Sequence, residues 1–137
     1  MPMLKSLTAL LALAGLAMSA SASATATNAT GEATLAKILA GRVAGKPVDC
    51  VLLSQLGASQ IVDGTAIVYH GDRGTLYVNR PLGASLLRRD SILVTHPYGS
   101  QLCRLDLTDL VDRYTQMPMG SVSMGAFVPY TKAPSSH

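Results

Sequence analysis

The sequence predicts an α+β, β-dominated domain: a small antiparallel sheet with an N-terminal helix, one short internal helix and one disulfide. Three observations carry that expectation. Short runs of strand-forming residues alternate with Gly- and Pro-containing turns over most of the chain. A segment near Leu35 spaces its apolar residues three and four apart, the period of a helix. The only two cysteines, Cys50 and Cys103, both lie inside the stretch expected to fold.

Residues 1–24 read as an export signal rather than as structure. Lys5 is their one charge, an apolar run follows from Leu7 to Met18, and small residues then offer Ala-x-Ala cleavage sites at Ala22 and Ala24. The run is shorter than the ~20 residues a spanning helix needs. No arginine pair precedes it and no cysteine stands just after the cleavage region, so the general secretory route fits better than a twin-arginine or lipoprotein route. No comparable apolar stretch recurs, so the mature chain is expected to carry no transmembrane segment and to be periplasmic or secreted. Residues 25–30, small and uncharged, read as a flexible spacer. Within them Asn28-Ala-Thr30 spells a glycosylation sequon, which we read as a chance occurrence.

Residues 31–131 then form a single domain. Removing 24 of 137 residues leaves 113, with ten basic against eight acidic side chains. That charge excess is too small for a nucleic-acid surface, and with about 44% of these residues apolar and few charged a disordered chain is excluded. A helix is expected over 32–43, with Leu35, Ile38, Leu39 and Val43 on one stripe and Glu32 favoured in the first turn. Lys46-Pro47 forces an extended entry into a strand that carries Cys50. Strands over 65–70 and 75–80 flank Gly71-Asp-Arg-Gly74, a hairpin loop with two glycines able to take positive φ. Asp63-Gly64 marks the turn before them. Further strands are expected over 91–95 and 101–105. The spacing of Leu107, Leu110 and Val111 predicts one or two helical turns over 107–114. A last strand is expected over 121–130, with Pro129 at a sheet edge or strand end. Residues 132–137 read as a disordered tail.

An even cysteine count in an exported chain points to a Cys50–Cys103 bridge. There is no Cys-x-x-Cys for redox chemistry. His70, His96 and scattered aspartates match no common zinc spacing, so neither metal nor cofactor is expected. Gly41-Arg-Val-Ala-Gly-Lys-Pro-Val-Asp-Cys50 and Ile61-Val-Asp-Gly-Thr-Ala-Ile-Val-Tyr69 resemble a group of small exported alphaproteobacterial proteins. Leu76-Tyr-Val-Asn-Arg-Pro81, Gly99-Ser-Gln-Leu-Cys-Arg104 and Phe127-Val-Pro-Tyr130 resemble its later blocks. The resemblance implies a bacterial envelope or secreted location and a paired Cys50 and Cys103; it transfers no catalytic or binding residue.

The residues that bear chemistry favour binding over catalysis. A hydrolase would recruit His70 or His96 as base, Asp72 or Asp90 as orienter, and Ser85 or Ser100 as nucleophile. Neither serine lies in Gly-x-Ser-x-Gly. Glu32 is the single glutamate, which leaves a paired-carboxylate site without its usual members. Gly71-Asp-Arg-Gly74 joins two strands instead of opening a helix, so its glycines make no phosphate loop. Arg73, Arg80, Arg88 and Arg89 read as solubilising strand ends and loops in preference to a mildly basic face for anionic envelope polymers or lipid head groups. Met117, Met119 and Met124 read as packing in preference to an adaptable partner surface. Tyr69 and Tyr77, on adjacent strands, offer an aromatic binding face. The expectation is an exported envelope binding or structural module whose partner is an envelope protein or polymer. The alternative is a small secreted hydrolase using His70 or His96.

The leader makes a direct prediction. Protein recovered from an envelope fraction should begin near Ser23 or Thr25, as N-terminal sequencing would read; an intact Met1 would exclude cleavage.

Overall fold

The structure, a computed structural model, describes residues 28–135. The leader expected over 1–24 and residues 25–27 of the spacer lie outside the described residues, as do 136 and 137. Among the described residues no helix is long and apolar enough to cross a membrane.

The fold is organised by a strand that buries both faces. Strand β4 (Ala66–Gly71) opens with four consecutive apolar residues, Ala66 to Tyr69, all buried. A strand turns alternate side chains to opposite sides, so such a run needs cover on each. Ala66 and Val68 join Leu76 and Val78 of β5 (Leu76–Asn79) beneath helix α1 (Ala29–Ile38), whose Leu35 fills that side. Ile67 and Tyr69 face the larger core on the other side.

Eight more strands complete the domain, and all pairings are antiparallel. They are β1 (Arg42–Ala44), β2 (Cys50–Leu52), β3 (Leu56–Val62), β6 (Ser91–Thr95), β7 (Gln101–Cys103), β8 (Leu107–Asp112), β9 (Pro118–Ser123) and β10 (Phe127–Lys132). The main sheet runs β1-β10-β5-β4-β3, a second runs β6-β8-β9, and β2 pairs with β7. Leu110 of β8, Val122 of β9, Val51 of β2 and Leu102 of β7 meet Ile67, Tyr69 and Phe127 in the larger core. The molecule is therefore layered as helix, main sheet, then the two small sheets.

Helix α1 starts earlier and stops sooner than the apolar spacing predicts. The Asn28 side chain caps it by accepting the Gly31 N–H and donating to the Asp63 carbonyl. Ala29 and Thr30 are thus helical, which shortens the spacer expected over 25–30. Gly31 is buried against Thr65, where a Cβ would overlap the threonine hydroxyl. After Ile38 the chain turns through Gly41 at φ +74°, and Val43 joins β1 instead of continuing the helix.

Four other expectations are corrected. The segment read as an internal helix over 107–114 is the central strand β8. Thr108 and Leu110 alternate inward, and β6 and β9 satisfy its backbone on both sides, which outweighs the three- and four-residue spacing. The single strand expected over 121–130 is two strands. They break where buried Asn79 exchanges two hydrogen bonds with the Gly125 backbone. A Cβ at Gly125 would stand 2.4 Å from the Arg80 carbonyl oxygen, so only glycine fits. Pro129 lies inside β10, a sheet interior, just past the end of β1. Its carbonyl accepts the Gly45 N–H there, so the missing N–H of proline faces no strand partner. Lys132 ends β10 and the Ala133 N–H bonds to the Gly41 carbonyl, so the tail expected over 132–137 starts later than 132.

Cys50 and Cys103 are bonded and face each other across β2 and β7, with Cα atoms 4.0 Å apart. The Arg104 N–H donates to the Asp49 carbonyl and the Leu53 N–H to the Ser100 carbonyl. That register makes the cysteines a non-hydrogen-bonded pair, where antiparallel side chains come closest. The bridge spans 53 residues of sequence, and loop closure of that length contributes about 4 kcal/mol. Replacing both cysteines by alanine should therefore lower the unfolding free energy by about 4 kcal/mol. Urea denaturation reads this directly, and an unchanged midpoint would refute it.

Candidate functional site

The structure keeps the two residues proposed for an aromatic face together but turns them inward. Tyr69 and Tyr77 are register partners, but Tyr69 is only 6% exposed, and its ring tilts against Phe127 at 6.1 Å. Its hydroxyl reaches Met124 Sδ at 4.0 Å, and burial pushes the phenol pKa up to about 12. Tyr77 is partly buried beside it. Both tyrosines point to the inner face because the alternation along β4 and β5 fixes their side, so the pair is core rather than a docking surface. Met124 is buried with them, Met119 packs against that core and Met117 is exposed.

The histidines part company. His70 is exposed at the end of β4. His96 donates from Nε2 to Asp109 at 2.8 Å, not to Asp72 or Asp90. The other carboxylate oxygen of Asp109 accepts the Ser121 hydroxyl at 2.5 Å. These bonds, that from Ser121 first and that from His96 second, hold the Asp109 carboxyl below its usual range. Asp109 thus sits in the middle, whereas a nucleophilic triad places the imidazole between hydroxyl and carboxylate. The Ser121 proton points at an ionised carboxylate, a weak base. The arrangement ties together β8, β9 and the residue after β6. Ser85 lies in a short 3-10 turn, and Ser100 in the loop before β7 gives its carbonyl to Leu53.

Two adjoining clefts lie elsewhere. One, of about 380 Å³, lies between the start of α1 and β3; the other, of about 410 Å³, lies between β3 and β6. Ser59, Ile61 and Arg89 line both, and Leu93 and Arg113 join them in the second. These volumes fall within the ~300–1,000 Å³ of ordinary ligand sites.

The walls of the second cleft are the open edges of two sheets. β3 ends the main sheet and β6 ends the three-stranded one. In the β4–β5 hairpin the Gly71 N–H donates to the Thr75 carbonyl, so Ile67, Tyr69 and Gly71 turn their backbone polar groups toward β5. Val68 and Ala66 turn theirs toward Gln60 and Val62 of β3. Alternation then leaves the N–H and C=O of Ser59 and Ile61 directed away from the sheet. The same count on β6 starts from the His96 N–H bond to the Leu107 carbonyl and leaves Leu93 and Thr95 directed outward.

Two arginines supply the charge. Arg89 is anchored by Asp63, which accepts its backbone N–H at 2.5 Å and its Nε at 2.8 Å, while most of its side chain stays exposed. Arg113 follows Asp112, whose carboxylate accepts the N–H groups of Thr115 and Tyr114 and is held below its usual range by those bonds. Among the described residues Arg113 forms no ion pair. Of the other arginines singled out in the sequence, Arg80 is occupied by a bidentate pair with Glu32, whose pKa it lowers. Sequence reasoning found Arg89 but favoured a solubilising role for it, read Asp109 as a turn, cap or surface residue, and gave Ser59, Ile61, Leu93, Arg113 and Ser121 no functional role. None of these sits in a motif, and strand pairing alone brings them together.

Burial of Tyr69 has a measurable consequence. Between pH 10 and about 12 the folded phenol stays protonated while the unfolded one ionises, so stability falls as pH rises through that window. The loss reaches up to about 2–3 kcal/mol. Tyr69→Phe should remove this alkaline loss and change stability at neutral pH by no more than about 1 kcal/mol, because the hydroxyl has only a weak sulfur partner. Denaturation midpoints at neutral and alkaline pH check both, and a neutral-pH loss of several kcal/mol would contradict the assignment.

No family model, curated protein or solved structure matches the chain.

Proposed function

We propose that this protein is an exported binding module of the bacterial envelope that holds an anionic ligand in the cleft between β3 and β6. The observation that carries the proposal is the cleft itself: two open strand edges with Arg89 and an unpaired Arg113 on its walls. Unused backbone donors beside an uncompensated positive charge are the groups an anionic ligand needs. The leader over 1–24 and the Cys50–Cys103 bridge support an exported setting, since disulfides persist in oxidising compartments.

The hydrolase alternative has less behind it. Its better base, His96, commits Nε2 to Asp109, and the neighbouring serine bonds that same carboxylate. Neither His70 nor His96 lines either cleft.

Affinity capture from envelope extract, beside a broad hydrolase screen, separates the two. The mature protein should retain a ligand that Arg113→Glu loses, with circular dichroism unchanged. Retention unaffected by Arg113→Glu would move the ligand out of the cleft. Turnover abolished by His70→Ala or His96→Ala would overturn the binding reading.

A further inference from the structure

Resting on that reading, we propose that the occupant of the β3–β6 cleft is an extended, acidic peptide segment of another protein, added as a strand to β3 and bridging toward β6. The argument begins with the backbone. A sheet edge that presents unpaired N–H and C=O groups is a template for another strand, and most proteins blunt such edges with bulges, prolines or charge. Here the only register irregularity in β3 falls between Leu56 and Ser59. From Ser59 to Val62 the strand is regular, lacks proline and carries no charged residue. Ser59 and Ile61 therefore offer two donors and two acceptors at the two-residue spacing of an antiparallel partner.

The opposite wall repeats the arrangement. Leu93 lines the same cleft, and its backbone groups point out of the β6 edge. An inserted strand presents polar groups on both of its sides, and the same cleft holds the outward backbone groups of Leu93 as well as those of Ser59 and Ile61. A compact ion would use the arginines and leave these backbone groups to water.

Charge then selects the class of peptide. Arg89 and Arg113 reach the cleft, and the one carboxylate lining its neighbour, Asp63, is already engaged by Arg89. A segment bearing Asp or Glu satisfies Arg113, whereas a basic one is repelled. The same two arginines disfavour a second copy of this chain as occupant. Edge-to-edge pairing of β3 with β3 would bring the positive groups of both copies together.

The test uses the mature, oxidised protein and three short synthetic peptides: alternating Val and Glu, alternating Val and Lys, and the Val/Glu peptide N-methylated at every second residue. The Val/Glu peptide should bind. The Val/Lys and N-methylated forms should each bind at least roughly tenfold more weakly. On binding, amide hydrogen exchange should slow by roughly tenfold or more at Ser59 and Ile61. Equal binding of the N-methylated peptide, with binding still lost in Arg113→Glu, would refute strand addition and leave the anionic-ligand cleft standing. Binding by none of the three, or no protection at Ser59 and Ile61, would refute the peptide class. A dimer by sedimentation of the protein alone, with those two amides protected, would give the edge to a second copy and overturn the proposal.

Discussion

Burial of β4 and β5 on both faces is the constraint on which the rest of this structure depends. Ala66 and Val68 require a cover that Ile67 and Tyr69 cannot share, because they leave the sheet on opposite sides. Helix α1 meets one demand with Leu35 and the two small sheets meet the other. At about 25 cal/mol per Å² of apolar surface, the burial of side chains such as Phe127, Ile67 and Leu110 is the main favourable term. The polar contacts are locks placed around that core. Asn79 and Gly125 fix where β10 begins, Asn28 fixes where α1 begins, and the Glu32–Arg80 pair joins the helix to the end of β5.

How far the sequence revealed this depends on how local the determining interaction is. The β4–β5 hairpin, β6 and the cysteine bridge follow from turn residues, strand formers and cysteine count, all local or compositional signals. β8 does not. Its apolar residues suit a helix as well as a strand, and what decides is the presence of β6 and β9 on either side. β3 escaped because Gly57, Ala58, Ser59 and Gln60 are small or polar and exposed, so the strand has almost no hydrophobic signature. It exists because β4 pairs with it.

The site was less legible than the fold, for a related reason. Tyr69 and Tyr77 sit on adjacent strands, as expected, but which face they occupy is set by what packs on each side of the sheet. The His96–Asp109–Ser121 contact joins residues 13 and 12 positions apart through strand register. Arg113, just after β8, and Ile61 of β3 line one cleft although 52 positions apart. Such groupings leave no spacing in the sequence that could announce them, and the groups that matter at the β3 edge are backbone atoms, to which composition is blind.

The place of β10 in the main sheet has a consequence for how the molecule is made. It is the last of the described strands in sequence, yet it lies between β1 and β5 and supplies Phe127 to the larger core. A chain that emerges from its N-terminus holds β1 without its one partner, and β5 with one side open, until Lys132 has appeared. Completion of the main sheet is thereby delayed until β10 has been made, and a chain still lacking it shows apolar strands that adhere readily to other chains. Until Lys132 has been made, β1 has no strand to pair with and the larger core has a gap where Phe127 belongs.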